Sequence, residues 1–217
     1  MHSRTRIKVC GITNADDAIA AINLGVDAIG FIFAESSPRY ISPEDAKEIV
    51  ADLPPFIHIV GVFVDKDPVE IEEIIDYCGL THVQLHGSED AEYCAKLAQN
   101  ANPCMLIKAI RVGSSSKAED FTPYQDIVKG FLLDTFVEGQ EGGTGKTFDW
   151  AMIESLDLKL PVILAGGLTP ENISDAIRAV RPFAVDVNSG VEREPGRKDI
   201  DKLEALVKQV ISTDLAV

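Results

Sequence analysis

Eight short apolar runs recur along this chain at a steady interval, and no other feature constrains its fold as tightly. They lie at residues 6–10, 27–33, 57–64, 82–86, 104–110, 130–134, 161–165 and 183–187. Between them, helical patterning marks 14–24, 43–52, 68–78, 89–100, 148–156, 170–180 and 198–213. The stretch 114–128 is a weaker helix candidate, because Ser114, Ser115 and Ser116 open it and Pro123 interrupts it. Strands covered on both faces, as in parallel sheets, read as continuous apolar runs. Ile57-His58-Ile59-Val60-Gly61-Val62-Phe63-Val64 is nearly continuous in this way. Eight strands interleaved with helices predict an α/β protein with one domain over residues 1–217, a single (β/α)8 TIM barrel. The alternative, an open doubly wound sheet, normally carries a glycine-rich phosphate loop after its first strand. Here that turn is Gly11-Ile12-Thr13, which lacks the G-x-G-x-x-G pattern.

Several helix starts are written in capping chemistry. Ser42-Pro43-Glu44-Asp45 offers a capping hydroxyl, a first-turn proline and an acid at the third position. Asp67-Pro68-Val69-Glu70 repeats the pattern, and Thr169-Pro170-Glu171 predicts a third proline-started helix.

Composition narrows the function. A chain that is 46% hydrophobic can fill one substantial core. Its apolar runs are strand-sized, so no membrane span is expected, and no leader is expected behind the charged start Met1-His2-Ser3-Arg4. Cys10, Cys78, Cys94 and Cys104 show no C-x-x-C spacing and read as reduced thiols of a cytoplasmic protein. A net charge of −15 argues against a nucleic-acid partner. An anionic small molecule would have to be held by local groups against that field.

In a barrel, function sits where strands end and the following loops begin. Read in order, those points are Cys10, Phe33 with Arg39, Asp65, Gln84 and His86, Arg111, Asp134, Gly166-Gly167 and Asn188-Ser189-Gly190. An isolated cysteine is more often a buried structural thiol than a reactive one. Cys10, however, stands at a strand mouth just before a helix start, where a thiolate is favoured. Asp134 occupies a matching strand end, and an acid and a base on one sheet point to proton transfer. If Cys10 points inward, so does Lys8, two residues earlier. An inward lysine needs a partner, and Asp186 on the last strand is placed to supply one, either tuning the thiol or serving structure alone.

The turns Gly166-Gly167 and Ser189-Gly190 follow the last two strands, the usual phosphate position in barrels, where glycine lets backbone N–H groups approach an anion. Arg39 is a candidate carboxylate clamp, since guanidinium forks match carboxylates. His82 and His86 lie four apart but no third ligand accompanies them, so no metal is expected and His86 reads as packed or facing substrate. Gly142-Gly143-Thr144-Gly145-Lys146-Thr147 is not a nucleotide loop, because Gln140 stands where the first glycine belongs. A loop that closes over substrate fits it better. These residues leave open a proton-transferring isomerase, another phosphate-binding sugar-phosphate isomerase or epimerase, and a non-catalytic barrel holding a phosphorylated metabolite.

A set of motifs goes further. Lys8-Val9-Cys10-Gly11-Ile12-Thr13, Pro38-Arg39-Tyr40-Ile41, Val83-Gln84-Leu85-His86-Gly87, Leu132-Leu133-Asp134-Thr135, Gly143 to Trp150, Leu164-Ala165-Gly166-Gly167-Leu168 and Asp186-Val187-Asn188-Ser189-Gly190-Val191-Glu192 closely resemble the phosphoribosylanthranilate isomerase family of tryptophan biosynthesis. The likeness runs in order from residue 6 to about residue 210 and covers no second domain. It implies an Amadori rearrangement of N-(5-phosphoribosyl)anthranilate to the 1-deoxyribulose isomer. By analogy Asp134 is the general acid that opens the furanose ring and Cys10 the general base that takes the C2 proton. Arg39, Gln84, His86 and Asp186 would bind the anthranilate and ribose, and Gly166, Gly167, Ser189 and Gly190 the phosphate. No metal or organic cofactor is implied, and the protein would act as a monomer or homodimer. The two roles require opposite tuning, with the Asp134 pKa raised and the Cys10 pKa lowered.

Overall fold

A computed structural model of the protein describes residues 4–101, 104–134 and 150–216. Eight parallel strands close into a barrel in sequence order: β1 (Arg6–Val9), β2 (Ala28–Ile32), β3 (His58–Phe63), β4 (His82–Leu85), β5 (Met105–Arg111), β6 (Gly130–Asp134), β7 (Val162–Ala165) and β8 (Ala184–Val187). The seam is the β1–β8 pair, which sets Lys8 beside Asp186 and Val9 beside Val187. The predicted barrel is therefore observed, with each strand within a residue or two of its expected bounds.

Helices α1 (Ala15–Asn23), α2 (Pro43–Ala51), α3 (Pro68–Cys78), α4 (Ala91–Asn100), α5 (Ala151–Ser155), α6 (Ile173–Val180) and α7 (Ile200–Ala216) surround it. Two of the three proline-started helices begin as the sequence predicts. Ser42 accepts from the Asp45 N–H at 3.1 Å, and Asp67 accepts from the Val69 N–H at 2.8 Å. The third differs. Asn172 accepts from the Thr169 N–H at 2.8 Å and donates to the Gly167 carbonyl at 2.9 Å, and this bracing delays α6 to Ile173.

The weak candidate at 114–128 is not an α-helix. The β5–β6 connection is two 3₁₀ turns, Ala118–Asp120 and Thr122–Tyr124, split at Phe121. Phe121 is 2% exposed and meets Phe131 edge to face at 5.1 Å. One aromatic ring covers β6 there, so the connection needs no helix face.

Side-chain alternation divides the interior. Outward residues such as Ile7, Val9, Phe31, Phe63, Val83, Leu133 and Val185 form the main core against the helices. Inward residues fill the barrel, with Ile107, Ala109, Leu132, Ile163, Ala165 and Ala184 on one side and Cys10, Ile32 and Val62 on the other. Beyond β8, a 3₁₀ turn at Ser189–Val191 leads into a small hairpin, β9 (Glu192–Glu194) and β10 (Arg197–Lys198). Among the described residues, no helix is long and apolar enough to cross a membrane.

Candidate active site

The site at the strand C-terminal ends is built from two clusters. The first surrounds Cys10, which continues β1 and takes the Val187 carbonyl on its N–H at 2.9 Å. Gly11 then turns the chain at φ 72, and Asn14 caps α1 by accepting from the Asp17 N–H at 2.9 Å. Beneath the thiol, Lys8 Nζ donates to Asp186 Oδ1 at 2.9 Å. That inward ion pair is the one the strand alternation anticipates. The Lys8 pKa stays raised, because Asp186 and Cys10 together outweigh the cost of burial.

The sign of the Cys10 pKa corrects the sequence expectation. Burial between Ile32 and Val62 pushes the thiol up, Lys8 pulls it down, Asp186 pushes it up again, and the net shift is upward. A thiolate inside a barrel loses its hydration, and one shared ammonium does not fully replace it.

Above Cys10 lies a charged brace that sequence reasoning missed. Lys198 is 1% exposed and donates to Glu192 Oε1 at 2.8 Å and to Asn188 Oδ1 at 3.0 Å. Its backbone N–H bonds Asp17 Oδ2 at 2.9 Å, so the hairpin is fastened over the start of α1. Glu192 also receives Arg39 Nε at 2.9 Å and Arg39 Nη2 at 2.6 Å. Burial raises the Glu192 pKa, but Arg39 and Lys198 outweigh it and leave the carboxyl below its usual range. Arg39 is thus already half committed to an internal carboxylate, and among the described residues its Nη1 makes no hydrogen bond. The sequence pattern places residue 198 at the start of the helical stretch 198–213, whereas the structure puts it in β10, two residues ahead of α7. No local signal marks Lys198 as buried.

The second cluster surrounds Asp134. His86 follows β4 and Asp134 ends β6, yet His86 Nε2 reaches Asp134 Oδ2 at 3.5 Å across β5. Gln84, 1% exposed, contacts His86 Nδ1 through Nε2 at 2.9 Å, and among the described residues its buried Oε1 has no hydrogen-bond partner. Below His86 a second buried pair holds the loops. Lys108 donates to Glu89 Oε2 at 2.7 Å and to the Gly87 carbonyl at 2.8 Å, while Glu89 accepts from the Asp65 N–H at 2.9 Å. Asp65 is therefore a loop brace, accepting from the Ser88 N–H at 2.6 Å. Phe33 stacks on Phe63 in the core.

The glycine turns differ in what demands glycine. Gly166 and Gly167 take φ 92 and 62, and a β-carbon on Gly167 would meet nothing within 4 Å. Among the described residues, nothing fills the space beside Gly167. A β-carbon on Gly190 would collide with the Leu168 carbonyl oxygen, so glycine is required there by packing between the two turns. Close approach of an anion, the reason expected from sequence, is not needed to explain it. The segment Gly142 to Thr147 lies outside the described residues. No group of three or more His, Cys, Asp or Glu able to hold a metal occurs among the described residues. A cavity of about 920 Å³, lined by Thr5, Leu160, Arg181 and Phe183 among others, opens at the opposite end of the barrel. It contains no strand C-terminal residue and is not where barrel chemistry occurs.

Comparison with known proteins agrees with this fold. The family described as N-(5'phosphoribosyl)anthranilate (PRA) isomerase matches residues 7–209. An N-(5'-phosphoribosyl)anthranilate isomerase from Pelobacter propionicus is 45% identical over 203 residues, 94% of each chain. The crystal structure of the phosphoribosyl anthranilate isomerase of Thermotoga maritima superposes with a TM-score of 0.84 at 44% identity, covering 96% of this chain and 99% of that one. A structure of such an isomerase in complex with reduced 1-(o-carboxyphenylamino)-1-deoxyribulose 5-phosphate gives 0.82 at 42% identity, with 96% and 99% covered.

Proposed function

This chain belongs to the N-(5'-phosphoribosyl)anthranilate isomerase family and catalyses that isomerisation in tryptophan biosynthesis, and from that footing we propose how its own residues do so. Asp134 is the general acid and Cys10 the general base. Asp134 delivers its proton to the furanose ring oxygen, the C1–O bond breaks, and the anthranilate nitrogen lone pair forms the Schiff base. Cys10, as thiolate, then removes the C2 proton, and the electron pair moves to C1–C2 to give the enolamine. Loss of the enol O–H proton and protonation at C1 complete the ketone.

The observation that carries this reading is the placement of Cys10 and Asp134 at the C-terminal ends of β1 and β6, three strands apart around one closed barrel. His86, held by Gln84, stabilises the Asp134 carboxylate left after proton transfer. Arg39 receives the anthranilate carboxylate on the side not used by Glu192, and Asp186 receives a ribose hydroxyl. The phosphate lies over Gly166, Gly167, Ser189 and Gly190, where Gly167 leaves open space. We place the protein in the cytoplasm, a reading supported by its four unpaired cysteines. The test follows the loss of anthranilate-like fluorescence in wild type, Cys10→Ser and Asp134→Asn. Near-normal turnover in either variant would remove that residue from its role.

A further inference from the structure

Lys8 has a buried ammonium with two anionic or potentially anionic neighbours, Asp186 and Cys10, and the proposed reaction gives the ammonium itself no role. Its carboxylate partner, Asp186, stands beside it across the β1–β8 seam, with side chains 5% and 8% exposed. Cys10 lies two residues further on the same inward face. Gly30 on β2 shows how close the third party is. A β-carbon at that position would sit 3.0 Å from both Cys10 Sγ and Lys8 Nζ and 3.2 Å from Lys8 Cε. A side chain at residue 30 would therefore press on the thiol and the ammonium together, so both groups border the same small space. The other groups facing Cys10 are Ile32 on β2, Val62 on β3 and Lys198 on β10. The apolar pair offers a thiolate nothing, and Lys198 is engaged by Glu192 and Asn188.

We propose that the Lys8 ammonium is a positioning group contested by Asp186 and Cys10, and that this contest sets when Cys10 becomes a base. In the resting barrel Asp186 holds the ammonium and the proton remains on sulfur. When the thiol ionises, the same ammonium becomes the counter-ion of the thiolate. The C2 proton of the substrate thus arrives at a sulfur whose charge is already matched. A purely structural ion pair would behave otherwise, since its two partners would contribute to stability alike and neither would act on the thiol.

The two roles separate by sign. The measurement is the pH dependence of alkylation by iodoacetamide at the Cys10 peptide, read by mass spectrometry in the folded enzyme. Lys8→Met removes the counter-ion, so the midpoint rises by about one pH unit or more. Asp186→Asn frees the ammonium for sulfur, so the midpoint falls. Lys8→Arg keeps the charge and returns the midpoint most of the way to wild type. If Lys8→Met fails to fold because Asp186 is left bare, the double variant Lys8→Met/Asp186→Leu removes both charges and still raises the midpoint. Shifts of the same sign in the two single variants, or a wild-type midpoint in the double variant, would overturn the proposal. It rests on Cys10 being the base, but the alkylation midpoint does not require turnover. A correct midpoint pattern with an active Cys10→Ser enzyme would sink the base assignment alone.

Discussion

His86 Nε2 stands 3.5 Å from Asp134 Oδ2, although a whole strand separates the two residues' origins on β4 and β6. The contact is carried inward over the mouth, and Gln84 fixes the other ring nitrogen at 2.9 Å. A Gln84 amide donating to Nδ1 selects the tautomer whose Nε2–H faces the carboxylate.

Asp134→Asn should therefore lose kcat by about 10²-fold or more, with KM changed only a few-fold, because the lost proton belongs to the transition state. His86→Phe should show a smaller loss of kcat. Steady-state kinetics on both variants checks this, and a large rise in KM with unchanged kcat in Asp134→Asn would contradict it.

Cys10→Ser should be folded and slower by about 10²-fold or more, since a hydroxyl does not ionise near neutral pH. Burial raises the Cys10 pKa, so the thiolate is the minor form at neutral pH, and the wild-type kcat/KM should still be climbing on the alkaline side. The limb belongs to a coupled set of groups and not to one residue. A pH–rate profile flat from neutral into the alkaline range would count against the thiolate.

The two glycine turns after β7 and β8 make opposite predictions. Gly190→Ala places a β-carbon against the Leu168 carbonyl oxygen, so its principal effect should be a lowered melting temperature. Gly167→Ala has room, but at φ 62 it carries a left-handed strain of about 1–2 kcal/mol, and its principal effect should be on KM. Thermal melts beside KM for both variants decide the matter. Equal melting temperatures would show that the turns are not packed as described.

Much of this could be read from the chain, and the boundary is instructive. Strand periodicity and capping side chains act within a few residues, so β1 to β8, α2 and α3 were legible. The delayed start of α6 was not, because Asn172 folds back on Gly167 and Thr169. Nor was the helix-free β5–β6 connection, where burial of Phe121 replaces a helix face. Cys10, Asp134 and the Lys8–Asp186 pair were legible because strand ends and alternation are local properties. Arg39 and Glu192 are 153 residues apart, and Lys198 lies where the sequence pattern starts the last helix and not in a strand. The sign of the Cys10 shift was missed for a related reason. It depends on how completely Ile32 and Val62 close over the sulfur, which no strand pattern states.

Stability should fall at both ends of the pH scale. Burial holds His82 neutral, with its pKa lowered from 6.5 to about 4, helped by His58 at 4.8 Å between ring centroids. The unfolded chain then binds the proton first, so stability is lost as pH falls from 6.5 through about 4. Burial likewise pushes Cys78 and Cys94 up to about 11 and Cys104 up to about 12. There the unfolded chain loses protons first, so stability declines as pH rises from 9.0 towards those values. Urea midpoints against pH test this. His82→Gln should flatten the acid limb and Cys104→Ala the alkaline one.

The seam between β1 and β8 joins residues 6–9 to 184–187, and it is braced from the chain's far end. Asp214 accepts from the Thr5 N–H at 2.6 Å, and Lys198 bonds Asp17 across 181 residues. Pairings so distant in sequence form late, after the intervening chain has been ordered. Until they do, Cys10 lacks Asp186, Lys198 and the Val187 carbonyl, and it is an ordinary water-exposed thiol. During refolding the reactivity of that one sulfur is therefore a clock for barrel closure. It should change in the same step in which activity appears, after the helices have already formed.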